Sequence, residues 1–242
     1  MRIAVCVHLY HIDMIDEISY YLNNLQHEYD LYISLTKNYP ISFLNNLKKI
    51  NTKTEIVFVK NVGMDIGGFL QVYRDIRDSY DLILKIHTKK CLGSSTKPSK
   101  YLIKHGMDSS IKKGKIWFVE LMQGVLGNKQ QVDSIINELI TNDNCGMVGT
   151  MKKKNFSINI NNMNEVFGWM KVSPNISDHE FIGGTIFWVK NDIFKKYLTV
   201  EIIDKIIESS PDGYCYEPSI NHAMERIFGS LVYMESKKIY TL

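Results

Sequence analysis

The stretch YDLILKIHTKK, residues 80–90, is apolar until it ends on His87, Thr88, Lys89 and Lys90. A lysine is a compact point charge suited to phosphate oxygens. Lys89 or Lys90, with His87, could therefore neutralise a pyrophosphate and stabilise charge on a departing nucleoside diphosphate. The plainer alternative is a strand that finishes in polar residues at the edge of a sheet.

A second candidate is NVGMDIGGF, residues 61–69. Gly63, Gly67 and Gly68 permit positive φ and close approach of backbone to a ligand. The helix start behind them offers free N–H groups. Their spacing fits neither the dinucleotide fingerprint nor a P-loop. Asp65 here either caps the following helix or accepts from a ribose or sugar hydroxyl.

Two later stretches complete the set. In EPSINHAMERIFG, residues 217–229, Ile220, Ala223, Met224, Ile227 and Phe228 fall on one helical face. Pro218 suits the first helical position, which makes Glu217 the cap residue. Glu217 falls within the apolar arc. It is either a general base of raised pKa or an acid favoured there by the helix dipole. His222, Glu225 and Arg226 point away from that arc, and Glu225 with Arg226 reads as a surface pair. In FIGGTIFWV, Gly183 and Gly184 would let a bulky ligand lie against backbone, and Trp188 is either a sugar floor or core.

The elements that must position these residues follow from periodicity. RIAVCVHLY, YDLYISLT, TEIVFV and YDLILKIH read as strands. Between them MIDEISYYLNNL, ISFLNNLKKI and GGFLQVYRDIRDS read as helices. Alternation of this kind predicts βαβ units and a mainly parallel sheet. Ligands then bind outside the carboxyl ends of the strands, where His8, Thr36, Asn61 and His87 stand. In the second half, residues 94–104 and MKKKNFSINI read as loops, IWFVELMQGVLG and QVDSIINELI as helices, and CGMVGT as a short strand. EFIGGTIFWVK reads as one strand and DIFKKYL as a short helix. The expectation is one domain over residues 1–242, with residues 1–90 holding a donor nucleotide and 91–242 facing an acceptor.

Composition narrows the classes. Hydrophobic residues make up 45% and charged residues 23%, ordinary for a protein with a substantial core. A net charge of +3 is too small to argue for nucleic acid, and Asp75, Asp78 and Asp81 oppose a continuous basic face. The four cysteines are scattered, without metal or disulfide spacing. The opening apolar run is too short for a signal peptide core, and no segment approaches the ~20 apolar residues of a spanning helix. A cytoplasmic protein is expected, at most in peripheral contact with the inner face of a membrane. Clusters Lys112-Lys113-Lys115 and Lys152-Lys153-Lys154 read as solvated loops or as a face for a phosphorylated or membrane-bound acceptor.

In order along the chain, VHLYHIDMIDEISYYLNNL, KNVGMDIGGFL, YDLILKIHTKK, GGTIFWVK and INHAMERIFG together resemble the rhamnan synthesis protein F family of glycosyltransferases. The resemblance runs from about Ile3 to Gly229. It implies a GT-A-like, Rossmann-type fold and transfer of a sugar, rhamnose being the expected one, from a nucleotide-diphosphate donor to a glycan or lipid-linked glycan. It places His8, Tyr10, Asn61, Gly63, Asp65, His87, Thr88 and Lys89 at the donor, Gly183, Gly184, Thr185 and Trp188 at the acceptor, and Glu217 and Asp65 in catalysis. A divalent metal, Mn or Mg, is an option, with Asp65 the acid to recruit it. Met64 stands where the family pattern would have arginine, and Gly68 where it would have proline. The rival expectation is a non-catalytic nucleotide- or carbohydrate-binding module on the same fold.

Overall fold

The computed structural model describes residues 1–90, 113–154 and 156–241, and only the backbone of 113–116. Nine strands are described: β1 Ile3–His8, β2 Asp30–Leu35, β3 Thr54–Phe58, β4 Leu82–His87, β5 Cys145–Gly149, β6 Lys152–Lys153, β7 Phe181–Ile182, β8 Phe187–Lys190 and β9 Lys238–Tyr240. The α-helices are α1 Ile15–Leu22, α2 Ile41–Leu47, α3 Met64–Ile76, α4 Lys113–Leu126, α5 Lys129–Thr141, α6 Ile160–Trp169, α7 Asn191–Tyr197, α8 Val200–Glu208 and α9 Ile220–Met234.

Seven strands form one sheet in the order β3-β2-β1-β4-β8-β5-β9. β1 to β4 are parallel, β8 runs antiparallel to β4 and β5, and β9 is parallel to β5. This is the mixed α/β, mostly parallel GT-A-like architecture. β1 and β4 are fully buried and largely apolar, as strands covered on both faces are. One face is packed by α3, α6, α7, α8 and α9, the other by α1, α2, α4 and α5.

The chain runs outward from β1 to β3 and returns on the other side of β1 with β4. α1 and α3 therefore lie on opposite faces, and the loops part between the carboxyl ends of β1 and β4. Such a switch point is where open α/β sheets bind ligands. In register, His8 lies beside both Ser34 and His87 at this level.

Several details depart from the periodic reading. EFIGGTIFWVK is not one strand: it breaks between β7 and β8 at a turn where Gly184 has φ 86° and Thr185 φ 52°. MKKKNFSINI contains β6, a 3-10 turn at Ser157–Asn159 and the start of α6. α6, α8 and β9 had no counterpart in the sequence reading, because their apolar residues are interleaved with Asn, Glu and Lys. The cap of α9 is Ser219, whose hydroxyl accepts from His222 N, and not Glu217. A short hydroxyl reaches that amide without stretching, which is why serine caps well. The 94–104 loop reading and the side chains of the Lys112–Lys115 cluster lie outside the described residues.

Candidate functional site

The centre of the site is a lysine inside a strand. Lys85 alternates with Ile83 and His87 on the α3 face of β4, and its side chain is 1% exposed. All three ammonium protons are used: Lys85 Nζ donates to Asp65 Oδ2 at 2.6 Å, to Thr185 O at 2.9 Å and to Thr185 Oγ1 at 3.0 Å. Thr185 Oγ1 in turn donates to the same Asp65 oxygen at 2.6 Å. A buried charge is tolerable only when paired and fully hydrogen-bonded, and here it is both.

Asp65 reaches this position because α3 starts ahead of the glycines. Gly63 takes φ 69° and turns the chain into α3, so Asp65 lies in the first turn and does not cap it. Its Oδ1 receives no hydrogen bond among the described residues. Burial alone would raise the Asp65 pKa. The neighbouring His87, the Lys85 charge and the Lys85 and Thr185 hydrogen bonds more than offset this and hold the carboxyl well below its usual range. Burial pulls Lys85 down while Asp65 pulls it up. This coupled pair is ionic, carboxylate against ammonium, because Lys85 Nζ and Thr185 Oγ1 both donate to Asp65 Oδ2.

His87 is buried, with Nδ1 3.4 Å from Asp65 Oδ2 and without a hydrogen-bond partner. Burial lowers its pKa far below 6.5, against the pull of Asp65, and Lys85, Lys89 and His8 push the same way as burial. His87 is therefore neutral. His8 Nδ1 shares a hydrogen bond with Ser34 Oγ at 2.9 Å, and burial lowers its pKa to about 4.

Thr88 Oγ1 accepts from Tyr10 N at 3.1 Å and His11 N at 2.9 Å, tying the loop after β1 to the end of β4. The ring of Tyr10 is 47% exposed on that loop. Lys89 Nζ stands 3.8 Å from the centre of the Trp117 ring, from α4. Asn61 is exposed, and its carbonyl accepts from Gly213 N at 2.7 Å. The other glycines serve packing: a Cβ at Gly68 would fall 2.1 Å from His8 Nδ1, and one at Gly67 2.0 Å from Val62 O. They admit a neighbouring ring and backbone.

The second half contributes an ion-pair cluster. Arg226 is buried, contrary to the surface-pair expectation. Its guanidinium lies over Phe181 and joins Glu217, Glu225 and the His222 carbonyl. The apolar face of α9 is wide enough to pull the stem of Arg226 inward, and the planar fork finds two carboxylates there. Glu217 Oε1 also accepts from Asn159 Nδ2 at 2.9 Å. Glu225 Oε1 accepts from Gly184 N at 2.7 Å and so holds the turn that carries Thr185. His222 is close enough to feel Glu217, Glu225 and Asp65, although burial dominates and lowers its pKa. Trp188 is fully buried and its indole N–H donates to Val125 O at 3.1 Å, so it is core and not the floor of an open site.

Lys85, Ser34, Trp117 and Glu225 were not among the sequence candidates. A lysine two residues before His87 in an otherwise apolar strand was the one readable signal, since it shares the His87 face. Among the described residues no group of three His, Cys, Asp or Glu converges as a metal site. The nearest acid already meets an ammonium, so this donor set is ill suited to a divalent cation.

The chain matches the family described as rhamnan synthesis protein F over residues 1–237. The chain belongs to the rhamnan synthesis protein F family. Membership ties it to rhamnan synthesis and a glycosyltransferase-like role, and so to sugar-donor and glycan-acceptor substrates as a class. No curated protein and no solved structure matches it. Among the described residues of this family member, no helix is long and apolar enough to cross a membrane.

Proposed function

We propose that the chain transfers a sugar, rhamnose in the first instance, from a nucleotide diphosphate to a glycan or lipid-linked glycan. Residues 1–90 hold the donor and the later part of the chain faces the acceptor, at the inner face of a membrane. The observation that carries this reading is the Lys85–Asp65–Thr185 cluster, lodged beside His87 at the β1/β4 switch point. Its charges are set before any ligand arrives, which is what electrostatic catalysis requires.

In this reading His8, Tyr10, Asn61, Gly63, His87, Thr88 and Lys89 surround the donor, and Asp65 Oδ1 takes a ribose or sugar hydroxyl. An acceptor hydroxyl attacks the anomeric carbon as the bond to the diphosphate oxygen breaks. Glu217 takes the hydroxyl proton, and the diphosphate leaves with its added charge met by lysine. A single displacement inverts the anomeric centre. Lysine does here by fixed charge what a metal does elsewhere, with the neutral His87 ring beside it. Calorimetric titration with UDP, GDP and dTDP should detect binding without manganese. If none of the three binds, with or without manganese, the reading fails.

A second reading, a binding module without turnover, is favoured by the engagement of Glu217 with Arg226 and Asn159. Donor hydrolysis separates the two. The transferase turns over slowly into water and loses this with Glu217→Ala, whereas the module shows none even in the wild type.

A further inference from the structure

We propose that Lys153, supplied by β6, is a second phosphate-binding cation that works with Lys89 across the Trp117 ring; this rests on the nucleotide-diphosphate reading above. Lys89 Nζ lies 3.8 Å from the ring centre and Lys153 Nζ 5.9 Å from it. Two ammonium groups from opposite halves of the chain thus share one aromatic face system. Their sequence neighbours are neutralised: Lys90 pairs with Asp13, and Lys152 with Glu180 at 3.2 Å. Among the described residues neither Lys89 nor Lys153 has a carboxylate partner. Like charges gathered on one ring repel, and a dianion between them removes that repulsion. An aromatic face holds such cations while leaving their remaining protons for a ligand.

The glycine pair explains how Lys153 gets there. A Cβ at Gly183 would lie 2.7 Å from Lys153 Cε and 2.9 Å from its Cδ. A Cβ at Gly184 would lie 3.3 Å from Trp117 Cζ2. The bare backbone of Gly183 is a channel for the lysine stem, and Gly184 leaves room for the ring. Pairing of Lys153 with Phe181 across β6 and β7 fixes the register of that approach. Lys89 follows directly on Thr88 and His87, so the two cations border the proposed donor position. Their chemistry suits a diphosphate, whose charge is spread over several oxygens that two point-charge donors can share. A single phosphate would engage only one of them fully.

Calorimetry with inorganic pyrophosphate and with UDP, GDP and dTDP tests this on wild type, Lys153→Gln, Lys153→Arg and Gly183→Ala. Lys153 is exposed, so the glutamine variant should melt like wild type. The expected result is about tenfold or more weaker binding of pyrophosphate and nucleoside diphosphate for Lys153→Gln, the loss of a charge-assisted contact. Lys153→Arg should retain most binding, and Gly183→Ala should reproduce the loss by displacing the stem. If wild type and Lys153→Gln bind nucleoside diphosphates equally, the proposal is overturned and the donor reading stands. If pyrophosphate binds through Lys153 but no nucleotide does, the clamp stands and the nucleotide reading fails. If neither binds, both are overturned.

Discussion

Lys85 decides what kind of site this is. An ammonium with a 1% exposed side chain cannot reach a ligand, since Asp65 and Thr185 consume its three donors. Its work is to hold one carboxylate ionised and one backbone turn in place. Thr185 adopts φ 52°, an unusual conformation for a β-branched residue that costs on the order of 1–3 kcal/mol. The Lys85 contacts to its carbonyl and hydroxyl offset that strain. Lys85→Ala should leave Asp65 charged and buried without its partner, a loss of about 3–5 kcal/mol. Urea unfolding of the variant measures it; a loss below about 1 kcal/mol would mean that the pair is not ionic. Lys85→Met with Asp65→Leu should recover much of the stability without recovering nucleotide binding.

Among the elements, α3 and α9 bring the chemistry together by close approach. Gly68 lets α3 settle against the His8 ring, and Gly67 lets the same helix touch the Val62 carbonyl. Gly68→Ala places a methyl group 2.1 Å from His8 Nδ1, and overpacking of this kind costs about 1–3 kcal/mol. Its binding defect should exceed its stability defect, because the displaced ring belongs to the proposed donor position. Parallel melting and titration experiments show which is larger, and an unchanged affinity would remove His8 from the donor site. α9 illustrates the limit of helical phasing. Its apolar positions Ile220, Ala223, Met224, Ile227 and Phe228 are all buried as periodicity requires. Arg226 is buried too, because Glu217 and Phe181 wait outside the helix and Glu225 stands beside it on the same helix.

At the scale of the molecule, one sheet joins both halves of the chain: β8, β5 and β9 extend the sheet begun by β1 to β4. Burial of neutral histidines in that sheet makes the fold acid-sensitive. Unfolded histidine takes a proton near pH 6.5, while His8 resists until about pH 4 and His87 lies well below 6.5. Between these values the unfolded chain binds more protons, so stability falls as pH falls. The slope should reach ~1.4 kcal/mol per pH unit for each such histidine. Melting temperatures from pH 7.5 to 4.5 should decline, and His8→Gln should decline less steeply. A profile flat down to pH 5 would contradict the burial of these rings in neutral form.

The sequence by itself determined the alternation of β1 to β4 with α1 to α3, the strand ends at His8 and His87, and the family, since local periodicity and ordered motifs need no knowledge of distant contacts. It left Asp65 and Glu217 each with two meanings. Only the tertiary structure chose their partners: Lys85 and Thr185 for Asp65, Arg226 and Asn159 for Glu217. The ending His87-Thr88-Lys89 acquired its surroundings in the same way, with Trp117 and Lys153 arriving from α4 and β6. The physical reason is that a charge is assigned its role by what neutralises it, and those groups lie as many as 120 residues away in the chain.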